Sequence, residues 1–247
     1  MTKETKKWWE YSSKDYQEEC KIPVDIHYGP GSLNEKHLKL MGNLKGKHIL
    51  EIGCGGAQCG IAMAKQGAKV IGIDISEQQL EFAKKLAEKN KVKINFYQGD
   101  IRDLRQIKSN SQDIVFSAFA LHYVDDLLKC FKEVNRVLKK NGLFVFSLDH
   151  PFSRTVDSKT LKLKQSYFKM GKIIETFSDP TKKFVMYNHT ISELYNLLIN
   201  AAFFVEEIIE PDSRKRYPYD PWYGLWDYTP QLLKMFPPTI IFKCRKR

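Results

Sequence analysis

The sequence is poor in cysteine and has no long apolar run, and each shortage excludes a class of protein. Its 247 residues contain five cysteines. They are Cys20, Cys54, Cys59, Cys130 and Cys244, and none forms a Cys-x-x-Cys pair. An odd number of thiols in a chain long enough to bury a full core predicts reduced cysteines and no disulfide framework. The longest apolar runs, at 143–148 and 114–120, are far shorter than the roughly 20 residues of a transmembrane helix, so none is expected.

The N-terminal segment also lacks the features of a secretory signal. Residues 1–19 are rich in charged and aromatic side chains and contain neither an apolar stretch nor a cleavage site with small residues. This composition predicts a cytoplasmic protein that is not attached to a membrane.

Basic residues outnumber acidic residues by 40 to 29, which gives a formal net charge of +11. Such an excess is the usual electrostatic footprint of a partner rich in phosphate. In segments such as 81–91, however, lysine is mixed with glutamate, which is typical of a solvated helix face. The charge alone therefore favours an ordinary solvated surface, and a nucleic-acid partner is kept as an alternative.

Residues 47–148 alternate short apolar or β-branched runs with longer segments of helical periodicity, which predicts parallel strands covered by helices. The predicted strands are 48–52, 69–74, 93–98, 113–117 and 142–148. Ser76 and Gln79 predict a capping box at the start of one helix. Asn141-Gly142 is expected to end the helix that begins near Asp125.

The regular alternation stops after Pro151. Segments 166–176 and 184–188 are extended in pattern and predict an inserted hairpin. Helical spacing returns at 191–202, and apolar runs at 203–209 and 239–244 predict two last strands.

A buried strand runs into a glycine-rich turn at 49–57, and this is the most informative segment. Glycines at 53 and 55 let the backbone approach a ligand without a Cβ in the way. Asp74 ends the next apolar strand about 20 residues later, where a carboxylate can accept hydrogen bonds from both hydroxyls of a ribose. Together these features predict a nucleoside ligand.

Two other nucleotide sites are disfavoured by the same turn. Gln58 stands where a dinucleotide fingerprint needs glycine or alanine, which makes nicotinamide and flavin cofactors less favoured. The turn also lacks the G-K-[ST] ending of a phosphate-binding loop.

The segment resembles the class I S-adenosylmethionine-dependent methyltransferases, whose acidic-x-Gly-x-Gly motif is matched by Glu51, Gly53 and Gly55. The resemblance covers residues 42–148 and implies an α/β fold with a Rossmann-like, doubly wound, mostly parallel seven-stranded sheet. The implied strand order is 3-2-1-4-5-7-6, with the last strand antiparallel and an inserted hairpin lid after the fifth strand. The implied cofactor is S-adenosylmethionine, without a metal.

The same resemblance implies one domain over 1–247, with N-terminal lid helices at 1–45, a cofactor-binding core at 46–150, an inserted lid at 151–189 and the rest of the sheet at 190–247. In the family the acidic residue and the glycine turn hold the methionine end of the cofactor, and the position of Asp74 holds its ribose. Asp100 and Ile101 match the adenine motif after the third strand. The full implied set is Tyr28, Glu51, Gly53, Cys54, Gly55, Asp74, Ile75, Gln79, Asp100, Ile101, Ser117, Ala118 and His122.

The sequence indicates the acceptor of the methyl group less clearly than it indicates the cofactor. Ser117-Ala118-Phe119-Ala120 replaces the Asn/Asp-Pro-Pro-Tyr sequence of exocyclic base methylases, and no cysteine follows a proline as in cytosine C5 methylases. An aromatic run at 217–228 and the insertion at 151–189 favour a small-molecule acceptor held under a lid. The candidate general bases are His150, His189 and His122.

Two further alternatives stay open from the sequence alone. The basic, aromatic C-terminal half suits a tRNA or RNA methyltransferase, and its proline-rich aromatic segment suits a non-catalytic interaction protein that binds the cofactor. Trp8, Trp9, Tyr11 and Tyr16 either belong to a helix that closes over the cofactor or cover a sheet edge. The protein is expected to be a monomer or a homodimer.

Overall fold

The alternation of strands and helices in the sequence becomes a sheet with helices on both faces. The computed structural model describes residues 2–169, 171–176, 183–215, 220–225 and 228–247. The strands in this part of the chain are β1 (His48–Ile52), β2 (Lys69–Asp74), β3 (Asn95–Gln98), β4 (Gln112–Ala118), β5 (Leu138–Asp149), β6 (Gly171–Thr176), β7 (Lys183–Asn188), β8 (Phe203–Ile209) and β9 (Thr239–Lys246). The helices are α1 (Lys3–Cys20), α2 (Glu35–Leu38), α3 (Gln58–Lys65), α4 (Glu77–Lys89), α5 (Leu127–Val137), α6 (Ile191–Asn200) and α7 (Pro230–Leu233).

Seven of these strands form one sheet in the order β3-β2-β1-β4-β5-β9-β8. The first five strands pair in parallel, and β9 runs antiparallel to both of its neighbours. β6 and β7 pair with each other as a separate antiparallel hairpin. The predicted order 3-2-1-4-5-7-6 and the hairpin after the fifth strand are therefore confirmed, with β8 and β9 as the sixth and seventh strands of the sheet.

The sheet carries an apolar layer on each face because side chains alternate along a strand. Leu50 packs in the layer that contains α5 and α6, and Ile49 packs in the opposite layer with α3. Parallel strands buried on both faces need this continuous apolar pattern. In the described residues, no helix is both long and apolar enough to cross a bilayer.

Two local predictions are corrected. The helix α5 ends at Val137, and Asn141 lies inside β5, where its φ of 59° accommodates an irregularity in the pairing with β4. The Ser76 hydroxyl accepts from the Gln79 backbone N–H at 3.2 Å, as a helix cap does. The Gln79 side chain does not complete the capping box, because its Oε1 accepts a hydrogen bond from Gln17 instead.

The turn from β1 to α3 is tight enough to need left-handed backbone at several positions. Gly53 and Gly55 have φ values of 65° and 50°, and Ala57 follows with 57°. Glycine adopts this conformation without steric cost, whereas alanine loses roughly 1–2 kcal/mol. Ala57 therefore adopts the turn at a cost of roughly 1–2 kcal/mol in stability.

Candidate functional site

A cavity lies at the carboxyl ends of β1, β2 and β4, the edge where open parallel sheets bind ligands. The empty space between its lining residues, including the part that is open to solvent, amounts to about 770 Å³. Helix α1 forms part of its wall through Trp9, Tyr16 and Gln17. The cavity has two ends of different chemistry, one at the glycine turn and one lined by aromatic rings.

Glycine is required at the turn because the backbone lies against another loop. A Cβ on Gly53 would come within 2.3 Å of the Ala120 Cβ, in a backbone conformation that side chains rarely adopt. The turn and the residues after β4 thus meet at the cavity wall. This close approach leaves backbone, and not side chain, facing a ligand.

The carboxylate of Asp74 is fixed at the end of β2 by two backbone donors. Its Oδ2 accepts from the Gly55 N–H at 2.8 Å, and its Oδ1 accepts from the Ser76 N–H at 2.9 Å. Burial raises the pKa of Asp74, although these N–H groups oppose the rise. Each oxygen keeps acceptor capacity for a further donor.

Glu51 is a buried carboxyl group, with 4% of its surface exposed, and lies in the cavity wall. Among the described residues, its Oε2 has no hydrogen-bond partner. A Cβ on Gly60 would come within 2.4 Å of this oxygen, so glycine at 60 leaves room for it. Burial raises the pKa of Glu51 to about 8, and the nearby charge of Asp74 acts in the same direction. A buried acid of this kind suits a positively charged ligand group.

The other end of the cavity is aromatic. Trp9 lies edge-on to Tyr123, with ring centroids 5.5 Å apart, and Trp222 lies edge-on to His27 at 5.0 Å. The Trp222 indole N–H donates to the Tyr16 hydroxyl at 3.3 Å. These contacts gather aromatic rings at one side of the cavity, where a planar ligand could pack against them.

Phe119 completes this aromatic end and has an unusual backbone. Its φ is 58°, which is rare for a bulky residue and costs of order 1–3 kcal/mol. A Cβ on Gly29 would come within 2.4 Å of the Phe119 ring, so glycine at that position admits the ring. Strain held by surrounding packing is typical of ligand sites.

Helix α1 is held over the cavity by polar contacts. Gln58 donates to Gln17 at 2.7 Å, and Gln17 donates to Gln79 at 2.9 Å, so three side chains link the turn, α1 and α4. The Glu10 carboxylate accepts from the backbone N–H groups of Glu77 and Gln78 at the start of α4. Of the four aromatic residues expected either to close over the cofactor or to cover a sheet edge, Trp9 and Tyr16 line the cavity.

Nine residues of the cofactor set predicted from the sequence line the cavity together. They are Glu51, Gly53, Cys54, Gly55, Asp74, Ile75, Gln79, Ile101 and Ala118. Four others lie outside its lining. The Tyr28 hydroxyl donates to Glu35, the Ser117 hydroxyl donates to the Ile52 carbonyl at 2.9 Å, and Asp100 is paired with Arg102. His122, the fourth, packs against the rings of Phe119 and Tyr123.

The carboxylate of Asp100 points into an ion pair at the end of β3. Arg102 bridges it to Asp125 with contacts of 2.6 and 2.7 Å. Burial opposes ionisation, but the hydrogen bonds from Arg102 lower the pKa of Asp100 to about 2. Ile101, the next residue, is fully buried and lines the cavity.

The three predicted general bases lie outside the cavity lining. His150 Nδ1 accepts from the Phe152 N–H at 3.1 Å, and its Nε2 lies 2.8 Å from Glu210. His189 lies 3.2 Å from the Glu193 carboxylate. Burial lowers the pKa of His122 to about 4. In the aromatic run at 217–228, Tyr217, Tyr219 and Trp226 lie outside the described residues.

Sequence reasoning missed three polar residues of the cavity. Gln17, His27 and Gln58 all line it, and none belongs to the motif around the glycine turn that points to a cofactor. Gln58 departs from the dinucleotide pattern, and its hydrogen bond to Gln17 links the end of the glycine turn to α1. The position of His27 depends on long-range packing and has no local signal.

Comparison with known proteins adds an independent finding. Residues 50–146 match a family model described as a methyltransferase domain. A solved S-adenosylmethionine-dependent methyltransferase from Mesorhizobium loti is 25% identical, with a TM-score of 0.67 over 85% of this chain and 95% of that chain.

Two relatives compared by sequence differ in coverage. An uncharacterized protein of Haemophilus influenzae is 29% identical over 90% of this chain and 91% of its own length. A ubiquinone biosynthesis O-methyltransferase of Coxiella burnetii is 36% identical over 45% of this chain, which spans 47% of the length of that relative.

Proposed function

We propose that this chain, whose residues 50–146 match a methyltransferase domain, uses S-adenosylmethionine as its cofactor, as its structural neighbours do, and transfers the methyl group to a small-molecule acceptor, releasing S-adenosylhomocysteine. The observation that carries the proposal is the cavity with two chemically different ends. Its carboxylates at the glycine turn suit a cationic nucleoside, and its aromatic end suits a compact acceptor.

At the glycine turn, we assign the two carboxylates to different parts of the cofactor. Asp74 would accept hydrogen bonds from the ribose hydroxyls, because its oxygens are already oriented by the N–H groups of Gly55 and Ser76. Glu51 and the turn would hold the methionine end, whose ammonium group would donate to Glu51 Oε2, which has no hydrogen-bond partner among the described residues. Ile75 and Ile101 would pack on the adenine ring.

The acceptor is assigned to the small-molecule class because α1 covers the cavity. The name of the Coxiella relative, an O-methyltransferase, supports an oxygen acceptor. Methyl transfer to such an acceptor depends mainly on holding two reactants in line and excluding water, which α1 and the rings of Trp9 and Tyr123 are placed to do.

The proposal is tested by calorimetry followed by a product assay. The protein should bind S-adenosylmethionine and S-adenosylhomocysteine, and then form S-adenosylhomocysteine in the presence of a panel of small hydroxyl and amine compounds, measured by mass spectrometry. Bulk tRNA is the comparison acceptor. Methylation of tRNA with a steep loss of binding in salt would replace the small-molecule assignment by an RNA substrate. Failure to bind either cofactor form would refute the proposed activity.

The ionisation of Glu51 gives a second test. Because the pKa of Glu51 is raised to about 8 by burial, the group is mostly protonated at pH 7 in the empty protein. A cationic ligand favours the carboxylate, so binding should release about one proton. Calorimetry in two buffers of different ionisation enthalpy measures this number. Glu51→Gln should abolish the release and weaken binding about tenfold, since hydrogen bonds to charged groups contribute about 1.5–3 kcal/mol.

Glu51→Gln is also the matched control, because it keeps the shape of the side chain and removes only its ionisation. An equal proton release from both proteins would show that another group titrates. In that case Glu51 would not be the partner of the cofactor ammonium.

A further inference from the structure

Exposed lysines are gathered on two neighbouring parts of the chain, the first half of α1 and the β6–β7 hairpin with the segment that enters it. They are Lys3, Lys6, Lys7, Lys169, Lys172 and Lys183. The two parts are in contact, because the ring of Trp8 on α1 packs against that of Phe184 on β7, with centroids 5.2 Å apart. Glu4, in the first turn of α1, interacts electrostatically with Lys172 and Lys183. These lysines therefore form one basic surface.

Carboxylates on the same segments are fewer than the lysines, and each already has a partner. In the described parts of 3–11 and 168–188 they are Glu4, Glu10 and Glu175. Glu10 accepts from the N–H groups at the start of α4, and Glu175 lies 3.6 Å from Arg154. In the part of the chain that the structure describes, none of the lysines of the basic surface belongs to an ion pair. The surface therefore keeps a positive charge that the fold itself does not neutralise.

Large apolar side chains are exposed beside these lysines. Phe168, which precedes the hairpin, is 78% exposed, and Ile174 on β6 is 49% exposed. Ile174 shares one face of β6 with Lys172, because side chains alternate along a strand. Tyr11 lies one turn beyond Lys7 on α1, and both line the same shallow groove. The basic surface thus offers positive charge and apolar groups together.

This combination selects an anionic lipid bilayer as the partner. Anionic headgroups attract clustered lysines, and the layer below them takes up exposed apolar side chains. A second copy of the chain carries the same net charge of +11 and is repelled. A nucleic acid would use the lysines and the aromatic rings, but the aliphatic side chain of Ile174 has no π face on which a base can stack.

We propose that the basic surface binds the headgroups of an anionic lipid bilayer, with the side chains of Tyr11, Phe168 and Ile174 entering the headgroup region. The sequence has no long apolar run, and that absence argues against a spanning segment but not against binding at the bilayer surface. Trp9 and Tyr16 lie in the cavity wall, so α1 contacts the lipid and the cavity with different side chains. Lipid binding therefore goes beyond the proposed function and does not depend on it.

Sedimentation with lipid vesicles tests the inference on the whole chain. Vesicles of phosphatidylcholine with about one-third phosphatidylglycerol should bind the protein at about 0.1 M salt and release it at about 1 M salt, where screening is stronger. Vesicles of phosphatidylcholine alone should bind little protein. The quadruple variant Lys3→Gln/Lys7→Gln/Lys172→Gln/Lys183→Gln should bind the anionic vesicles at least about tenfold more weakly, because clustered lysines supply the attraction.

The matched control removes the same charge from the opposite edge of the sheet. Its substitutions are Lys45→Gln, Lys47→Gln, Lys69→Gln and Lys108→Gln, at exposed positions near the amino ends of β1, β2 and β4. This control should keep its vesicle affinity within about twofold, because distant charges are screened. Circular dichroism on heating verifies that both quadruple variants are folded.

The apolar side chains are tested by Phe168→Ser/Ile174→Ser. This double variant keeps every lysine, and it should bind anionic vesicles about fivefold more weakly because fewer apolar groups enter the bilayer. Its binding to bulk tRNA, which offers phosphate charge without an apolar layer, should equal that of the native protein.

Each outcome decides the inference. Absence of binding to anionic vesicles would overturn it, and equal losses in the two quadruple variants would show that net charge acts without a defined surface. Native vesicle affinity in Phe168→Ser/Ile174→Ser, with tRNA bound as tightly as the vesicles, would assign the surface to nucleic acid. Titration of S-adenosylmethionine is a separate readout. Its failure in the native protein would refute the proposed function and leave the result with lipid unchanged.

Discussion

Asp74→Ala is expected to weaken the binding of S-adenosylmethionine about 100-fold, or roughly 2.7 kcal/mol. The carboxylate is held in the cavity wall by the N–H groups of Gly55 and Ser76, so it is oriented before a ligand arrives. Two hydrogen bonds from ribose hydroxyls to a charged oxygen pair account for a loss of this size. The variant also leaves the Gly55 N–H without its acceptor, which loosens the turn. Calorimetric titration of both proteins measures the change.

Asp113→Ala is the matched control for this prediction. Asp113 is also a carboxylate that accepts a backbone N–H, from His48 at 2.8 Å, but it lies at the opposite edge of the sheet. Its loss should leave cofactor affinity within about twofold, or 0.4 kcal/mol. Asp74→Asn should fall between native protein and Asp74→Ala, since it keeps one acceptor oxygen. Equal affinity of Asp74→Ala and the native protein would remove the ribose assignment.

The cofactor end of the site could be predicted from the sequence because its signals are local. Strand, turn and helix follow one another within 49–65, and Gly53 and Gly55 have the positive φ values that such a turn requires. Parallel pairing of β1 with β2 then brings the end of β2 beside the turn. Glu51, Gly55 and Asp74 therefore meet in the cavity, and the short segments that bring them together can each be recognised in the sequence.

The aromatic end could not be predicted in the same way. Trp9, His27 and Trp222 come from three distant parts of the chain, and they meet only when α1 and the C-terminal segment pack on the sheet. The same reason explains the helix end placed at Asn141. The dipeptide Asn-Gly alone indicates a turn. In the fold, however, Asn141 and Gly142 lie inside β5, which pairs with β4.

The three histidines that the sequence suggests as general bases show a similar limit of prediction from the sequence. Position after a strand or before a helix indicates which side chains are near the carboxyl edge, yet it does not say which are already paired. His150 is held by Glu210 and the Phe152 N–H, whereas the buried Nδ1 atoms of His122 and His27 have no hydrogen-bond partner in the part of the chain that the structure describes. Hydrogen bonding and burial are properties of the folded chain, and local sequence does not reveal them for any of these imidazoles.

Arg154→Met is expected to lower the free energy of unfolding by about 3 kcal/mol. Arg154 forms an ion pair with Asp149 at the end of β5, and Tyr228 donates to the other oxygen of that carboxylate at 2.8 Å. Asp149 is 7% exposed and Arg154 22%, so the substitution leaves a buried charge with its ionic partner removed. Urea unfolding followed by circular dichroism measures the change. Lys139→Met, which breaks the more exposed pair with Asp113, should cost less than about 1 kcal/mol.

The double variant Asp149→Asn/Arg154→Met distinguishes a broken ion pair from lost packing. It should recover much of the stability lost in Arg154→Met, because no buried charge remains. Burial alone would raise the pKa of Asp149, but the charge of Arg154 outweighs it and lowers the pKa. The stabilisation by this ion pair is therefore fully present above about pH 4, the pKa of Asp149 in the unfolded chain. It is lost as the pH falls through the lower pKa that Asp149 has in the folded protein. A deficit in Arg154→Met that persisted at about pH 2, with no recovery in the double variant, would assign Arg154 to packing between β5 and the hairpin.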